Sequence, residues 1–350
     1  MRCLTLADAL RGKGAEILFV CRELPGNICD FVENKKYRLF RLPYSEKPTT
    51  AKPDGLYARW LGVDLQTDAE QTRAILQKQL ADWLIVDHYA LDSRWEKQMR
   101  PIVRKILAID DLADRPHDCD LLLDQNLYEH MENRYDGLVP DLCSKLLGPR
   151  NALLRPEFME ACRNIRERDG SVRRILIFFG GSDPNNETAK ALEAIRLLNR
   201  PDIAVDAVVG GANPHREAIR ILCASIPNTI YHCQVANMAE LMAAADLAIG
   251  AGGSTTWERC SVGLPSITLA IAENQAETTE VVAKTGAACH LGYSTNVSIE
   301  SLANAIQLAL EHPLELKEMG EKAAQITGGV IFTGDSPLLS AILEEDNAHA

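Results

Sequence analysis

Residues 247–275 read LAIGAGGSTTWERCSVGLPSITLAIAENQ, and this segment limits the fold more than any other. Apolar runs at 247–249 and 266–271 read as strands, and Gly250, Gly252 and Gly253 break the first sharply. A helix starts near Thr255 and ends at Gly263-Leu264-Pro265. Strand, helix and strand in this order belong to a parallel sheet. Ser254, Thr255 and Thr256 offer hydroxyls and backbone N–H groups at the helix start, where free donors and partial positive charge suit a phosphate oxygen. Glycines let an anion reach the backbone with no Cβ in the way. The pattern is neither G-x-G-x-x-G nor G-x-x-x-x-G-K-[ST], so neither nucleotide fingerprint applies. A second reading needs no ligand: Thr255-Thr256-Trp257-Glu258 fits a capping box in which Glu258 folds back onto the N-cap backbone. The second strand, however, delivers Glu273, Asn274 and Gln275 as a polar tip at the same sheet edge. Two polar clusters at adjacent strand ends favour a site, because ligands of open α/β sheets bind there.

The rest of the chain repeats this grammar. A helix over 2–10 comes first, then a strand at 17–20, a short helix and strand within 26–41, and a polar loop at 43–53. A doubly wound domain normally opens on a strand, so a strand is expected ahead of Met1. Helices at 66–81 and 93–103 alternate with strands at 83–86, 105–109 and 120–123. Asp87, Asp110, Asp111 and Asn126 then fall along one carboxyl edge. Singly each reads as a turn-former or cap; as a set they read as a site. Residues 146–166 look like the crossing between domains.

A second alternating series follows. The strand at 174–179 ends in Gly180-Gly181-Ser182-Asp183-Pro184, with Asp183 as N-cap and Pro184 at the first helical position. The Gly180-Gly181-Ser182 turn is a second phosphate cradle. Helices at 187–198, 214–224 and 238–245 and strands at 203–209 and 229–232 lead back to the opening segment, and helices at 276–285, 298–310 and 314–324 follow it. The expected fold class is α/β, with two doubly wound Rossmann-like domains at 1–152 and 153–335, and a terminal helix and tail at 336–350.

Charge and composition restrict the partners. A net charge of -12 argues against nucleic acid, whose phosphates select basic faces. No apolar run is long enough to cross a bilayer and no signal peptide opens the chain, so a cytoplasmic protein without a membrane partner is expected. The ten cysteines contain no C-x-x-C pair, which predicts reduced thiols and no zinc site. Cys21, Cys119, Cys223 and Cys289 sit in or beside apolar runs and read as small buried hydrophobes.

Two such domains with glycine turns in the second resemble the GT-B arrangement of nucleotide-sugar enzymes. The likeness narrows at specific residues. Arg2-Cys3-Leu4-Thr5-Leu6-Ala7, Asp87-His88-Tyr89 with Asp92 and Trp95-Glu96, 109–115 (IDDLADR) and Leu123-Asp124-Gln125-Asn126 look like the N-terminal landmarks of one family. Gly180-Gly181-Ser182-Asp183, 250–260 and Glu273-Asn274-Gln275 look like its C-terminal ones. On these motifs the chain resembles the UDP-2,4-diacetamido-2,4,6-trideoxy-β-L-altropyranose hydrolases of pseudaminic acid biosynthesis.

The resemblance implies a metal-independent, cofactor-free hydrolase, expected as a monomer, in which water attacks the anomeric carbon of a UDP-sugar and UDP leaves. Gly180, Gly181 and Ser182 with Gly252, Gly253, Ser254, Thr255 and Thr256 would hold the pyrophosphate. Glu258 would hold the ribose hydroxyls, and backbone near Val235 would meet the uracil. Glu273, Asn274 and Gln275 would contact the sugar or its phosphate, and Arg2, Asp87, Tyr89, Asp111 and Asn126 the sugar. The family's general-base histidine lies in a Gly-x-Gly-His loop that would precede Met1. No residue here matches it, and neither His88 nor His117 is promoted to the role. Losing such a base costs roughly 10²–10⁴-fold in rate, so this chain is expected to be impaired. The alternatives are a GT-B glycosyltransferase using a UDP-sugar and a non-catalytic UDP-binding protein.

Overall fold

The computed structural model describes residues 2–44, 57–328 and 336–343. The chain forms two compact units, both Rossmann-like α/β domains. The first contains residues 1–126, 130–153 and 334–350, and the second 127–129 and 154–333. The expected loop at 43–53 lies mostly outside the described residues.

The first unit opens with α1 (Arg2–Gly12), β1 (Leu18–Arg22), α2 (Cys29–Asn34) and β2 (Arg38–Leu42). It continues through α3 (Leu65–Leu76), β3 (Ala81–Val86), α4 (Ser93–Met99), β4 (Val103–Ile109), β5 (Leu121–Asp124) and β6 (Ser144–Leu147). Its strands form two parallel sheets, a β1-β2 pair and a four-stranded sheet in the order β3-β4-β5-β6. Helix α1 serves both. Leu6 and Leu10 pack with Leu107, Ile109 and Leu121, while Leu4 and Ala7 pack with Val32 and Tyr37. Helix α3 stops at Leu76, short of the expected 81, and Leu80 turns the chain at φ +48 so that Ala81 already starts β3. Helix α4 likewise ends early: residues 100–102 tighten into a 3₁₀ turn around Pro101, a residue without an N–H to donate.

The second unit runs α5 (Pro156–Arg163), β7 (Arg174–Phe178), α6 (Glu187–Leu198), β8 (Ala204–Val209), α7 (Arg216–Ser225), β9 (Thr229–Cys233) and α8 (Met238–Ala244). Then come β10 (Leu247–Ala251), α9 (Thr255–Ser261), β11 (Ser266–Ala270), α10 (Glu273–Lys284), β12 (Cys289–Tyr293), α11 (Ile299–Glu311) and α12 (Pro313–Ile326). All six strands are parallel, in the order β12-β11-β10-β7-β8-β9. The chain leaves β7 toward β8 on one side and returns to β10 on the other, so the winding reverses between β7 and β10. Ile175, Ile177, Leu247, Ile249, Ile267 and Leu269 form the buried ridge of this sheet, covered by Leu192 and Ile195 of α6 and Leu302 and Ile306 of α11. Strands buried on both faces read as near-continuous apolar runs, which is why this half was so plain in the sequence.

A last helix, α13 (Pro337–Leu343), belongs to the first unit, where Leu338 and Ile342 join the core of Leu6, Leu10 and Leu123. Trp83 Nε1 donates to the Ile342 carbonyl at 3.1 Å. The region expected only as a crossing contains the end of β6 and the whole of α5. Cys119 and Cys223 are buried at 1% and 2% exposure, whereas Cys21 and Cys289 are only partly covered. Among the described residues all cysteines are free thiols, and no helix is long and apolar enough to cross a membrane.

Candidate functional site

In the second unit, two glycine turns sit where the winding reverses, at the carboxyl ends of β7 and β10. The first follows β7: Gly180 adopts φ +97, and a Cβ at Gly180 or Gly181 would meet open space. The second follows β10. A Cβ on Gly250 would lie 2.3 Å from the Phe178 carbonyl oxygen, so glycine lets the two strand ends close up. Among the described residues, the N–H groups of Gly180, Gly181, Ser182, Gly253 and Ser254 have no acceptor, whereas Gly252 donates to Leu269 at 3.2 Å and Thr256 to Gly253 at 2.9 Å. Five bare backbone donors at a winding reversal are groups that an incoming anion would satisfy.

The capping box does not form. Ser254 occupies the N-cap with helical backbone angles and no side-chain bond, and Glu258 turns away to Arg155, whose Nε donates to Glu258 Oε1 at 2.9 Å. A full charge at hydrogen-bond distance outcompetes a neutral N–H. Burial raises the Glu258 pKa, with Arg155 working against the rise. Its second oxygen, Oε2, makes no hydrogen bond among the described residues.

Asp183 caps α6 from further upstream than expected. It adopts φ +37, and its carboxylate accepts from Glu187 N, Thr188 N and Thr188 Oγ1 at 2.9, 2.9 and 2.7 Å. Pro184 lies in the intervening turn, not in the helix, which begins at Glu187.

The polar tip is the first turn of α10, not a loop. Gln275 Oε1 accepts from Ile271 N at 3.2 Å, and Gln275 Nε2 lies 3.4 Å from where a Gly253 Cβ would be. Thr279, one turn on, sits against Gly252 and donates to the Gln275 carbonyl at 2.5 Å. The opening segment and α10 are thus brought together through Gln275, while Glu273 and Asn274 are exposed. Val235 is more distant: it follows β9 at the far side of the sheet, two strands beyond β7.

The first unit carries a different edge. Asp87 follows β3, Asp111 lies just past β4 and Asn126 just past β5, and Arg2 at the start of α1 ties them together. Its Nη2 donates to Asp87 Oδ1 at 2.6 Å and its Nη1 to Asp111 Oδ2 at 3.0 Å. Asn126 Nδ2 donates to the same Asp111 oxygen at 3.3 Å, and the Tyr89 hydroxyl also bonds Asp111. All five N-terminal candidates therefore share one network. Burial alone would lower the Arg2 pKa, but Asp87 and Asp111 hold it above the usual arginine range. Tyr89 is pushed up, first by burial and then by Asp111. Its ring joins Tyr57 and Trp60 at 5.3 and 5.8 Å.

A second layer lies behind. Tyr135 bridges the fully buried Asp110 and Asp124 at 3.1 and 3.0 Å. Burial raises the Asp124 pKa to about 7, against the pull of the Asn126 N–H. Burial would raise Asp110 too, but Arg115 and His117 outweigh it and the net shift is downward. His117 Nδ1 pairs with the buried Glu96 at 2.7 Å. His88 is spent on backbone: its Nδ1 accepts from Ala90 N at 3.0 Å, its ring also bonds Trp60 backbone, and burial lowers its pKa.

Sequence reasoning missed Arg155, Tyr135 and Arg259. Arg259 alone carried a local signal, since it lies three residues after Thr256 on a helix and so faces back toward the turn.

Residues 175–329 match the glycosyltransferase family 28 C-terminal domain. Over 173 residues the chain is 35% identical to the spore coat polysaccharide biosynthesis protein SpsG of Bacillus subtilis, a match covering 48% of this chain and 50% of that one. The chain thus spans about half the length of that relative. Over 213 residues it is 27% identical to the UDP-2,4-diacetamido-2,4,6-trideoxy-beta-L-altropyranose hydrolase of Campylobacter jejuni, covering 61% of this chain and 74% of the other. Among solved structures, MurG of Acinetobacter baumannii superimposes with a TM-score of 0.66 at 15% identity, over 98% of this chain and 95% of that one. The fold is therefore that of the GT-B glycosyltransferases.

Proposed function

We propose that the chain binds a UDP-sugar through the carboxyl edge of its six-stranded sheet and releases UDP by hydrolysis. The carrying observation is the pair of glycine turns whose unpaired N–H groups flank the reversal between β7 and β10. In this reading Gly180, Gly181, Ser182, Gly252, Gly253, Ser254, Thr255 and Thr256 take the diphosphate. Glu258 keeps Oε1 on Arg155 and offers Oε2 to the ribose hydroxyls, with Val235 backbone at the uracil. A diphosphate leaving group gathers negative charge as its bond to the sugar breaks, and preorganised backbone donors stabilise that charge without reorganisation.

Gln275, with Glu273 and Asn274, takes the sugar side of the diphosphate. The network of Arg2, Asp87, Tyr89, Asp111 and Asn126 is assigned to the sugar. Because Arg2 neutralises both carboxylates, their role is to orient hydroxyl or acetamido groups. Similarity to the Campylobacter hydrolase supports a UDP-linked diacetamido-trideoxy-altropyranose as substrate. A cytoplasmic, monomeric protein of pseudaminic acid biosynthesis is part of the same proposal. UDP release from that sugar nucleotide without an acceptor is the expected result, and its absence overturns the assignment. The match of 175–329 to a glycosyltransferase domain favours a second reading, in which the same edge serves a transferase. Turnover that appears only with an added sugar or lipid acceptor would select it.

A further inference from the structure

Beneath the second glycine turn lies a charge with no ion-pair partner among the described residues. Arg259 is 2% exposed, and its Nη2 donates to the Ala251 carbonyl at 2.9 Å and to Thr256 Oγ1 at 3.0 Å. Both partners are neutral. Its Nε is buried with no acceptor, and no carboxylate among the described residues forms an ion pair with it. Its Nη1 lies 3.2 Å from the position a Cβ on Gly250 would take, which sets the guanidinium directly under the turn. Glu258, the adjacent residue, acts on Arg259 only through space, because its own partner is Arg155. Burial lowers the Arg259 pKa to about 10, so the group remains charged at neutral pH.

A buried arginine need not imply a ligand, and Arg168 illustrates the structural case. Its Nε, Nη1 and Nη2 donate to the carbonyls of Ala245, Val262, Gly263, Met242 and Ala243, closing the ends of α8 and α9. Among the described residues Arg259 makes only the two bonds from Nη2. A buried cation held so sparingly is costly unless a negative charge arrives nearby. The bare N–H groups of Gly253 and Ser254 lie in the turn that the Ala251 and Thr256 bonds brace.

We infer that Arg259 is a positioning residue for anion binding: from beneath the turn its charge draws a diphosphate onto the Gly253 and Ser254 N–H groups and sets a preference for nucleoside diphosphates over uncharged nucleosides. This rests on the reading of that edge as the UDP site. The test is calorimetric titration of the full chain and of Arg259→Met, Arg259→Gln and Arg259→Lys with UDP, inorganic pyrophosphate and uridine, alongside thermal melts. One charge felt across a peptide layer at an interior dielectric gives roughly ten- to fifty-fold in affinity. The Met and Gln variants are expected to lose that much for UDP and pyrophosphate, while uridine binding is unchanged and Lys keeps most of the UDP affinity. Should Met fail to fold, the Gln and Lys pair decides. A folded Gln variant that binds UDP as the parent does, or parallel loss of UDP and uridine, overturns the inference while leaving the UDP site standing. A parent chain that binds pyrophosphate but not UDP overturns the UDP reading alone, and the pyrophosphate series then tests Arg259. A parent that binds neither overturns both.

Discussion

The two carboxyl edges are built on opposite principles. In the first unit the edge is made of side chains whose charges answer one another, with Arg2 against Asp87 and Asp111, Arg115 against Asp110 and Tyr135 between two carboxyl groups. In the second it is made of bare backbone, with five N–H groups and one buried guanidinium that lack an answering charge or acceptor among the described residues. A paired network is suited to orienting a neutral polar ligand; an unpaired one is suited to receiving charge. The same parallel topology thus supplies two kinds of edge, and the proposed anion site falls to the second unit.

The largest expected effect breaks the second edge outright. Gly250→Val forces a side chain into the Phe178 carbonyl and should destabilise the unit by roughly 2–4 kcal/mol with loss of UDP binding, read by chemical denaturation and calorimetry. Gly181→Ala is the sharper partner experiment, because its Cβ meets only open space. It should leave the melting temperature unchanged and cost about tenfold in UDP affinity by crowding the anion. Next comes the first edge. Arg2→Ala removes the cation that Asp87 and Asp111 share in a partly buried site and should cost about 1–3 kcal/mol of stability while sparing UDP affinity. An equal fall in UDP affinity would contradict the division of labour.

Two pH effects are smaller. The Glu258 pKa is raised, so its carboxylate is lost on acidification at a higher pH than an ordinary glutamate. If that carboxylate accepts ribose hydroxyls, UDP affinity falls as pH drops through this raised value, and Glu258→Gln binds weakly at every pH. Asp124 titrates near 7 when folded and near its ordinary 3.8 when unfolded. Between these values the folded state holds the extra proton, so Asp124 makes stability fall as pH rises from about 4 to about 7. Asp124→Asn should flatten that slope in melts run across the window, since an amide can still accept from Asn126 N and bond Tyr135.

Much of this frame was legible because buried parallel strands announce themselves. The run at Arg174–Phe178 and the periodic helix Glu187–Leu198 needed no tertiary knowledge. The glycine turns were visible as interruptions of such runs. What stayed hidden depends on contacts distant in sequence. Glu258 looked like a cap because Arg155, 103 residues away, cannot be matched to it by spacing. Arg259 drew no reading of its own, because arginine is rarely buried without a partner. The helix Pro337–Leu343 gave no sign of joining the first unit, since an apolar stripe does not say which core it fills.

The most direct test of the central claim is an amide chemical-shift titration of the full chain with UDP. The account predicts large, saturable shifts at Gly180, Gly181, Ser182, Gly253 and Ser254. Unmoved signals at these five residues while UDP binds, or shifts confined to the Arg2–Asp87–Asp111 network, would contradict it.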